Sequence, residues 1–465
     1  TETYEKLSQI CRGKRVILVS ATPLNNTPQD ILSQIKLFQK VRNSTIPGVR
    51  DLEFFFKRLQ SRLKDLDRQK DRTVYLRTIK ENADEIRREV LRHIMVRRTR
   101  NEIEKYFSND LKERGLKFPE VADPEPVFYE FDDELDRVFT KTIQLITSPK
   151  FEYSRYTPKL YLKEELTQPE ELAQKNMSKF MRILLIKRLE SSFFAFKNTL
   201  DRFIYSYTRF IEEYDNGYVY VSKKHINKVF ELLENDDDEA VQRLVDEDKA
   251  EKRSVSDFRE DFRDVLQKDL EILQEVHDLW SGITSDPKLE KFVQILSQRK
   301  RLKDNKLIVF TESKETAEYL GKNLTNRLGE QVLTFSGGAP AGVREKVVEN
   351  FDANARYPKD DYRILVTTEV LSEGVNLHRS NIVINYDIPW NPTRLIQRVG
   401  RINRVDTKFD KIHSFNFFPT KQSNDVIKLK EAAEAKIGAF IEMLGNDARL
   451  LTDGEEIKSQ ELFSR

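Results

Sequence analysis

Residues 364–404 read ILVTTEVLSEGVNLHRSNIVINYDIPWNPTRLIQRVGRINR, and the changes of texture along this stretch decide the fold. Two short apolar runs, Ile364–Val366 and Ile382–Tyr386, each give way at once to polar residues. Runs of this length, bounded in this way, fit strands buried on both faces. Working outward, similar runs stand at Leu307–Phe310, Val332–Phe335 and Ile412–Phe418. Most of the gaps between them carry helical periodicity, as in Ala317, Leu320, Leu324 and Leu328. Strands and helices in alternation predict an α/β fold, a parallel sheet covered on both faces. Right-handed crossovers then gather the loops that follow the strands at one edge, where ligands bind. One more strand-like run, Val16–Val19, stands alone near the start.

Glycine usage separates this region from the rest. The chain has 15 glycines in 465 residues, about 3%, less than half the usual ~7%. Only Gly115 and Gly217 fall between Val49 and Ser281, so that span is expected to be helical. From Leu185 the apolar positions continue through Leu189, Phe193, Phe196, Leu200, Phe203, Tyr207 and Phe210, the seam of one long amphipathic helix. Another amphipathic pattern, Val426, Leu429, Ala433, Ile437, Phe440 and Leu444, ends at Gly445. These patterns divide the chain into 1–120, a short α/β remnant with a helical extension; 121–284, a helical insertion; 285–420, a complete α/β domain; and 421–465, a helical tail.

Composition excludes several classes. Charged residues make up 34% of the chain, yet 80 basic against 78 acidic residues leave a net charge of +2. A nucleic-acid surface must therefore be a local patch. Cys11 is the only cysteine, which excludes an internal disulfide framework and a cysteine metal cage. No HExxH occurs among the five histidines, so no metal centre is expected. No apolar run approaches the ~18 residues that span a bilayer, and no signal pattern opens the chain. A cytoplasmic protein with no membrane contact is the expectation; oligomeric state is not legible.

Three motifs follow strand-like runs. Ser20-Ala21-Thr22-Pro23-Leu24-Asn25-Asn26 comes after Val16–Val19; its hydroxyls suit a loop that senses a phosphate or a neighbouring side chain, and equally a plain strand cap. Thr367-Thr368-Glu369-Val370-Leu371-Ser372-Glu373-Gly374-Val375-Asn376-Leu377 offers hydroxyls and backbone N–H groups to a nucleic-acid phosphate, and Gly374 permits close approach. Gln397-Arg398-Val399-Gly400-Arg401-Ile402-Asn403-Arg404 places Arg401 and Arg404 on one face if the segment is helical. Two guanidinium forks there match the charge of a phosphoryl group in transfer; an ordinary pair of surface arginines is the plain alternative.

The order of these motifs resembles superfamily two helicases, whose motor has two RecA-like lobes. Thr22-Pro23-Leu24-Asn25-Asn26, Arg97-Arg98-Thr99-Arg100 and Asp387-Ile388-Pro389-Trp390-Asn391-Pro392 narrow the resemblance to Swi/Snf-like double-stranded DNA translocases. Lys187-Arg188-Leu189-Glu190-Ser191-Ser192 is similar to a segment of bacterial, RapA-like members. The resemblance implies a complete C-terminal RecA-like lobe, a remnant of the N-terminal lobe and a long helical insertion. It implies ATP and Mg²⁺ as cofactors and double-stranded DNA as partner, with a protein partner for the insertion left open. Arg401 and Arg404 would be arginine fingers toward the ATP γ-phosphate, and Gln397 would couple that site to the first lobe through Ser20 and Thr22. Glu373 and Gly374 would lie near the nucleotide. Thr367, Thr368, Ser336 and Gly337 would face DNA phosphates, and Trp390 and Asn391 would transmit lobe closure to the DNA track.

No G-x-x-x-x-G-K-[ST] occurs in the 465 residues. Gly321-Lys322-Asn323 sits inside a helical pattern, and Asp238-Glu239-Ala240-Val241 follows an acidic run rather than a strand. The chain is therefore expected to start inside the first lobe and not to hydrolyse ATP alone. Arg87, Arg88, Arg92, Arg97, Arg98 and Arg100, with Glu89 as counter-charge among them, read either as a stripe along a phosphate backbone or as an interlobe structural element. The aromatic seam reads as core packing rather than a base-stacking platform. An RNA or strand-separating DNA helicase and a non-hydrolytic DNA- or protein-binding module are the other functional readings.

Overall fold

The computed structural model describes residues 2–19, 28–64, 72–96, 100–222, 250–329, 332–337, 339–368, 375–389 and 393–418. The amphipathic pattern from Val426 and the Asp238 segment lie outside them.

The apolar runs of the last third form strands because each has hydrophobic neighbours on both faces. In chain order the strands are β1 (Glu120–Val121), β2 (Glu125–Val127), β3 (Tyr218–Ser222), β4 (Ala250–Ser254), β5 (Leu307–Phe310), β6 (Val332–Phe335), β7 (Ile364–Thr367), β8 (Ile382–Asn385) and β9 (Lys411–Phe417). Seven of them make one sheet in the order β1-β9-β8-β5-β7-β6, with β2 also on β9, and all its pairings are parallel. Alternation along β5 sends Leu307 and Val309 into one core and Ile308 and Phe310 into the other. The first core includes Leu289, Phe292 and Leu320; the second includes Val347, Phe351, Leu395 and Val399. Register aligns Phe310 with both Thr367 and Asn385, and Asn385 with Asn416, so the carboxyl ends of these strands finish level.

β1 straddles the boundary at 120/121 read from the sequence, and β2 falls at the start of the expected helical insertion. Their pairing with β9 makes 120–127 part of the sheet, so the helical block begins after them. Two and three residues, one a proline, are too few to show a strand pattern.

The helical block has its own core. Helices Asp133–Thr147, Gln168–Ser191, Phe193–Asp215 and Phe262–Ser281 surround it, and the antiparallel β3–β4 pair closes one side. Leu185 through Phe210 do not form one helix. The chain leaves helical geometry at Ser192, with φ −159° and ψ 151°, and its hydroxyl accepts the Ala195 N–H at 3.1 Å. The seam crosses this break in phase, and Phe196, Leu200, Phe203 and Tyr207 are buried core residues. At the centre, the fully buried Asp269 carboxylate accepts from the N–H groups of Glu152 and Ser154 and the hydroxyls of Ser154 and Tyr207. Burial pushes its pKa up against those hydrogen bonds.

The described residues before β1 are helical, with a core that includes Ile31, Leu32, Leu52, Phe56, Ile86 and Val90. The expected strand at Val16–Val19 is absent: the segment is unpaired, and Ile17 and Val19 are 81% and 95% exposed. An apolar run becomes a strand only beside a partner, and among the described residues none lies next to it.

Gly321 has a packing role. It lies in helix Lys314–Leu328, where a Cβ would fall inside the van der Waals envelope of the Thr334 hydroxyl on β6. Gly321→Ala is expected to destabilise the lobe by about 1–3 kcal/mol. Thr334→Ala in the same chain should return part of that loss in urea unfolding, whereas an additive double variant would place the strain elsewhere.

Candidate nucleotide and nucleic-acid site

The level strand ends create the edge at which the motif residues collect. Ser336 and Gly337 follow β6, Thr367 ends β7 and Thr368 follows it, and Asp387 lies two residues past β8. Thr367 is fully buried and its hydroxyl donates to the Thr368 carbonyl at 3.0 Å, which corrects its expected role: it presents no hydroxyl to a phosphate. Ser336 and Thr368 are each 7% exposed, and Gly337 is half-buried at the surface of the loop.

Helix Thr393–Ile402 carries Gln397 and Arg401 one turn apart. Both are half-buried, whereas Leu395, Arg398, Val399 and Ile402 face inward. Arg401 donates to its own lobe, Nε to the Gln397 carbonyl at 3.3 Å and Nη1 to the Val375 carbonyl at 3.4 Å. The helix stops at Ile402, so Arg404 is not on a shared helical face with Arg401. Arg404 projects from the following turn, half-buried, and its Nε is buried without a hydrogen-bond acceptor. That turn is held from three directions. Arg100 Nη2 donates to the Asn403 carbonyl at 2.7 Å, the Lys117 N–H to the Val405 carbonyl at 3.3 Å, and the Thr407 hydroxyl to the His378 carbonyl at 3.4 Å. The side of the helix that carries Ile396 also meets the N-terminal core.

Six residues assigned roles from the sequence, Ser20, Thr22, Glu373, Gly374, Trp390 and Asn391, lie outside the described residues, as do Arg97 and Arg98. Of the remaining arginine cluster, Arg87 pairs with Asp84, and Arg88 pairs with Glu89 at 2.8 Å and Asp84 at 3.3 Å. These contacts, with that of Arg100, match the structural reading for Arg87, Arg88 and Arg100; Arg92 is exposed.

A buried charged cluster beneath the edge escaped the sequence reading. Asp387 Oδ1 accepts from Lys288 Nζ at 2.9 Å. Its Oδ2 accepts from the Ser191 hydroxyl at 2.9 Å, the Glu312 N–H at 3.0 Å and the Thr311 hydroxyl. Burial opposes the charge, but Lys288 and these donors outweigh it and hold the carboxyl below its usual range. Arg398, with no exposure, donates to Asn385 Oδ1 at 2.9 Å and to the Asp387 carbonyl at 3.1 Å, and it pairs with Glu312. Asp387 and Ser191 each stood in a quoted motif, but nothing in a sequence joins positions 196 apart.

Arg404, whose Nε is buried without an acceptor, and Arg401 at the end of the preceding helix are the two guanidinium groups brought together here. Among the described residues no group of three or more His, Cys, Asp or Glu side chains is placed to hold a metal ion. None of the described helices is long and apolar enough to cross a membrane.

Comparison with known proteins finds similarity in the same region of the chain. Residues 287–406 match the family model described as the helicase conserved C-terminal domain. An uncharacterized ATP-dependent helicase, YqhH of Bacillus subtilis (strain 168), is 35% identical over 162 residues, covering 35% of this chain and 27% of the relative. The DEAD-box ATP-dependent RNA helicase 40 of Oryza sativa subsp. japonica is 30% identical over 155 residues, 33% of this chain and 18% of the relative. The matched region thus spans about a quarter or less of these relatives. Among solved structures, the C-terminal part of the Fun30 ATPase domain aligns with a TM-score of 0.37 at 15% identity, covering 70% of this chain and 99% of that one. Over residues 287–406 the chain is therefore similar to a helicase conserved C-terminal domain.

Proposed function

We propose that this chain supplies the second lobe of an ATP-dependent double-stranded DNA translocase of the Swi/Snf-like kind. Arg401 and Arg404 would offer charge to the γ-phosphate of ATP bound with Mg²⁺ between two lobes, with Gln397 positioned alongside Arg401. Bound ATP–Mg²⁺ supplies the phosphoryl group that is transferred to water. The residues of this chain would bind and orient its terminal phosphate. The observation that carries the reading is the half-buried Arg404, whose Nε has no acceptor on a turn held from three sides. The turn that carries this guanidinium is fixed through its backbone, which supports an arginine presented to an anion.

On the nucleic-acid side, Gly337 and the backbone around Ser336 and Thr368 would meet a phosphate backbone, and Trp390 and Asn391 are proposed to join them. The D-x-x-W-N-P box and the long helical block favour duplex DNA. A second reading, an RNA helicase, draws on the RNA helicases among the relatives. ATP turnover by the full-length protein is expected to rise with duplex DNA length and not with RNA; stimulation by RNA alone would select the second reading. The 465-residue chain contains no phosphate-loop motif, and we expect no phosphate release from it above a blank.

A further inference from the structure

The break between the two long helices lies against the lobe, at the first residue of the D-x-x-W-N-P box. Lys288 Nζ donates to the Glu190 carbonyl at 2.5 Å, the Ser191 carbonyl at 3.1 Å and Asp387 Oδ1 at 2.9 Å. All three ammonium protons are used. Two of the acceptors are carbonyls at the end of helix Gln168–Ser191, where a cation is favoured by the helix dipole. The ammonium also lies 4.2 Å from the Tyr386 ring centroid.

The hydroxyls beside it have a fixed direction. A carboxylate only accepts, so Ser191 donates to Asp387 and must itself accept from Thr316 Oγ1, 2.7 Å away. Thr316 then accepts from the Ser192 hydroxyl at 2.8 Å. The result is a directed chain, Ser192 to Thr316 to Ser191 to Asp387, in which Ser191, Ser192 and Thr316 are all at most 4% exposed. It runs from the helical block through helix Lys314–Leu328 to the box.

We propose that Ser191 is a positioning residue: through Asp387 it fixes the first residue of the D-x-x-W-N-P box and joins the helical block to the lobe as one mechanical unit. The role in nucleic-acid binding rests on the duplex-DNA reading above; the mechanical coupling does not. A hydrogen bond to a charged group contributes about 1.5–3 kcal/mol, so its loss is expected to raise local opening by about tenfold or more.

The test compares Ser191→Ala, Thr316→Val and Thr316→Ser with the parent 465-residue chain. Hydrogen exchange is followed in the peptides around Asp387, with helix Phe262–Ser281 as the internal reference. The expected result is roughly tenfold faster exchange near Asp387 in Ser191→Ala and Thr316→Val, an unchanged reference helix, and rescue by Thr316→Ser, which keeps the hydroxyl. Affinity for a fluorescent DNA duplex should fall in the same two variants. Unchanged exchange near Asp387 in folded Ser191→Ala, or equal loosening of the reference helix, overturns the positioning role. Local loosening in a chain whose parent form binds no duplex supports the coupling and sinks the duplex-DNA reading.

Discussion

Arg404→Ala in the full-length protein is expected to lower nucleic-acid-stimulated ATP turnover by about 10³-fold, the lower end of the range measured for arginine fingers. That factor corresponds to about 4 kcal/mol of transition-state stabilisation. The loss should fall on kcat with the KM for ATP little changed, because the guanidinium answers charge that develops during transfer. Arg404→Lys should recover little of it, since an ammonium lacks the planar fork that spans two phosphoryl oxygens. Arg401→Ala should act in the same direction. In this structure its guanidinium donates to the Gln397 and Val375 carbonyls over 3.3 and 3.4 Å. Lobe unfolding in urea is the control, because Arg404 leaves its turn anchored by backbone carbonyls and not by its own side chain. Wild-type turnover in a folded Arg404→Ala protein would remove the finger assignment.

The lobe was legible in the sequence wherever burial on both faces dictated the residue type. Leu307–Phe310 and Val332–Phe335 are strands with the bounds read from their apolar runs; the first is buried on both faces and wholly apolar, and the second, at the sheet edge, carries one polar residue, Thr334. Ser192 illustrates the opposite case. Leu189 and Phe193 are four apart whether or not the helix breaks, so periodicity cannot see a break that keeps phase. β1 and β2 were hidden by their brevity, and Val16–Val19 misled because apolarity signals a strand's faces and not its partner. At the site, spacing marked Gln397 and Arg401 but not the difference between Arg401 and Arg398. Both are arginines of one motif; Arg398 points inward to Glu312 and Asn385 and supports the sheet edge. Only the fold of the other elements around that helix distinguishes them.

Asp387→Ala is expected to cost about 3–5 kcal/mol of lobe stability, because it leaves the Lys288 ammonium buried without its counter-charge. The side chains of Lys288 and Asp387 are only 7% and 9% exposed, so water does not replace the lost partner. Lys288→Met in the same chain removes the stranded charge, and the double variant should be more stable than the sum of the two single losses implies. The pH dependence follows from the carboxyl being held below its usual range. Burial alone would raise it, and Lys288 with the hydroxyl and N–H donors reverses the sign. A carboxyl whose folded value is depressed contributes stability above its unfolded value of about 3.9. That contribution disappears as pH falls through the folded value. The difference between the parent chain and Asp387→Asn in urea unfolding should therefore be full at pH 7 and begin to close only below about pH 4. A gap that closed instead near neutral pH would mean that a group other than this carboxylate carries the charge. A gap under about 1 kcal/mol at pH 7, the size of an exposed pair, would mean that Lys288 reaches solvent in the folded lobe. In either case the helical block would not be keyed to the D-x-x-W-N-P box through this pair.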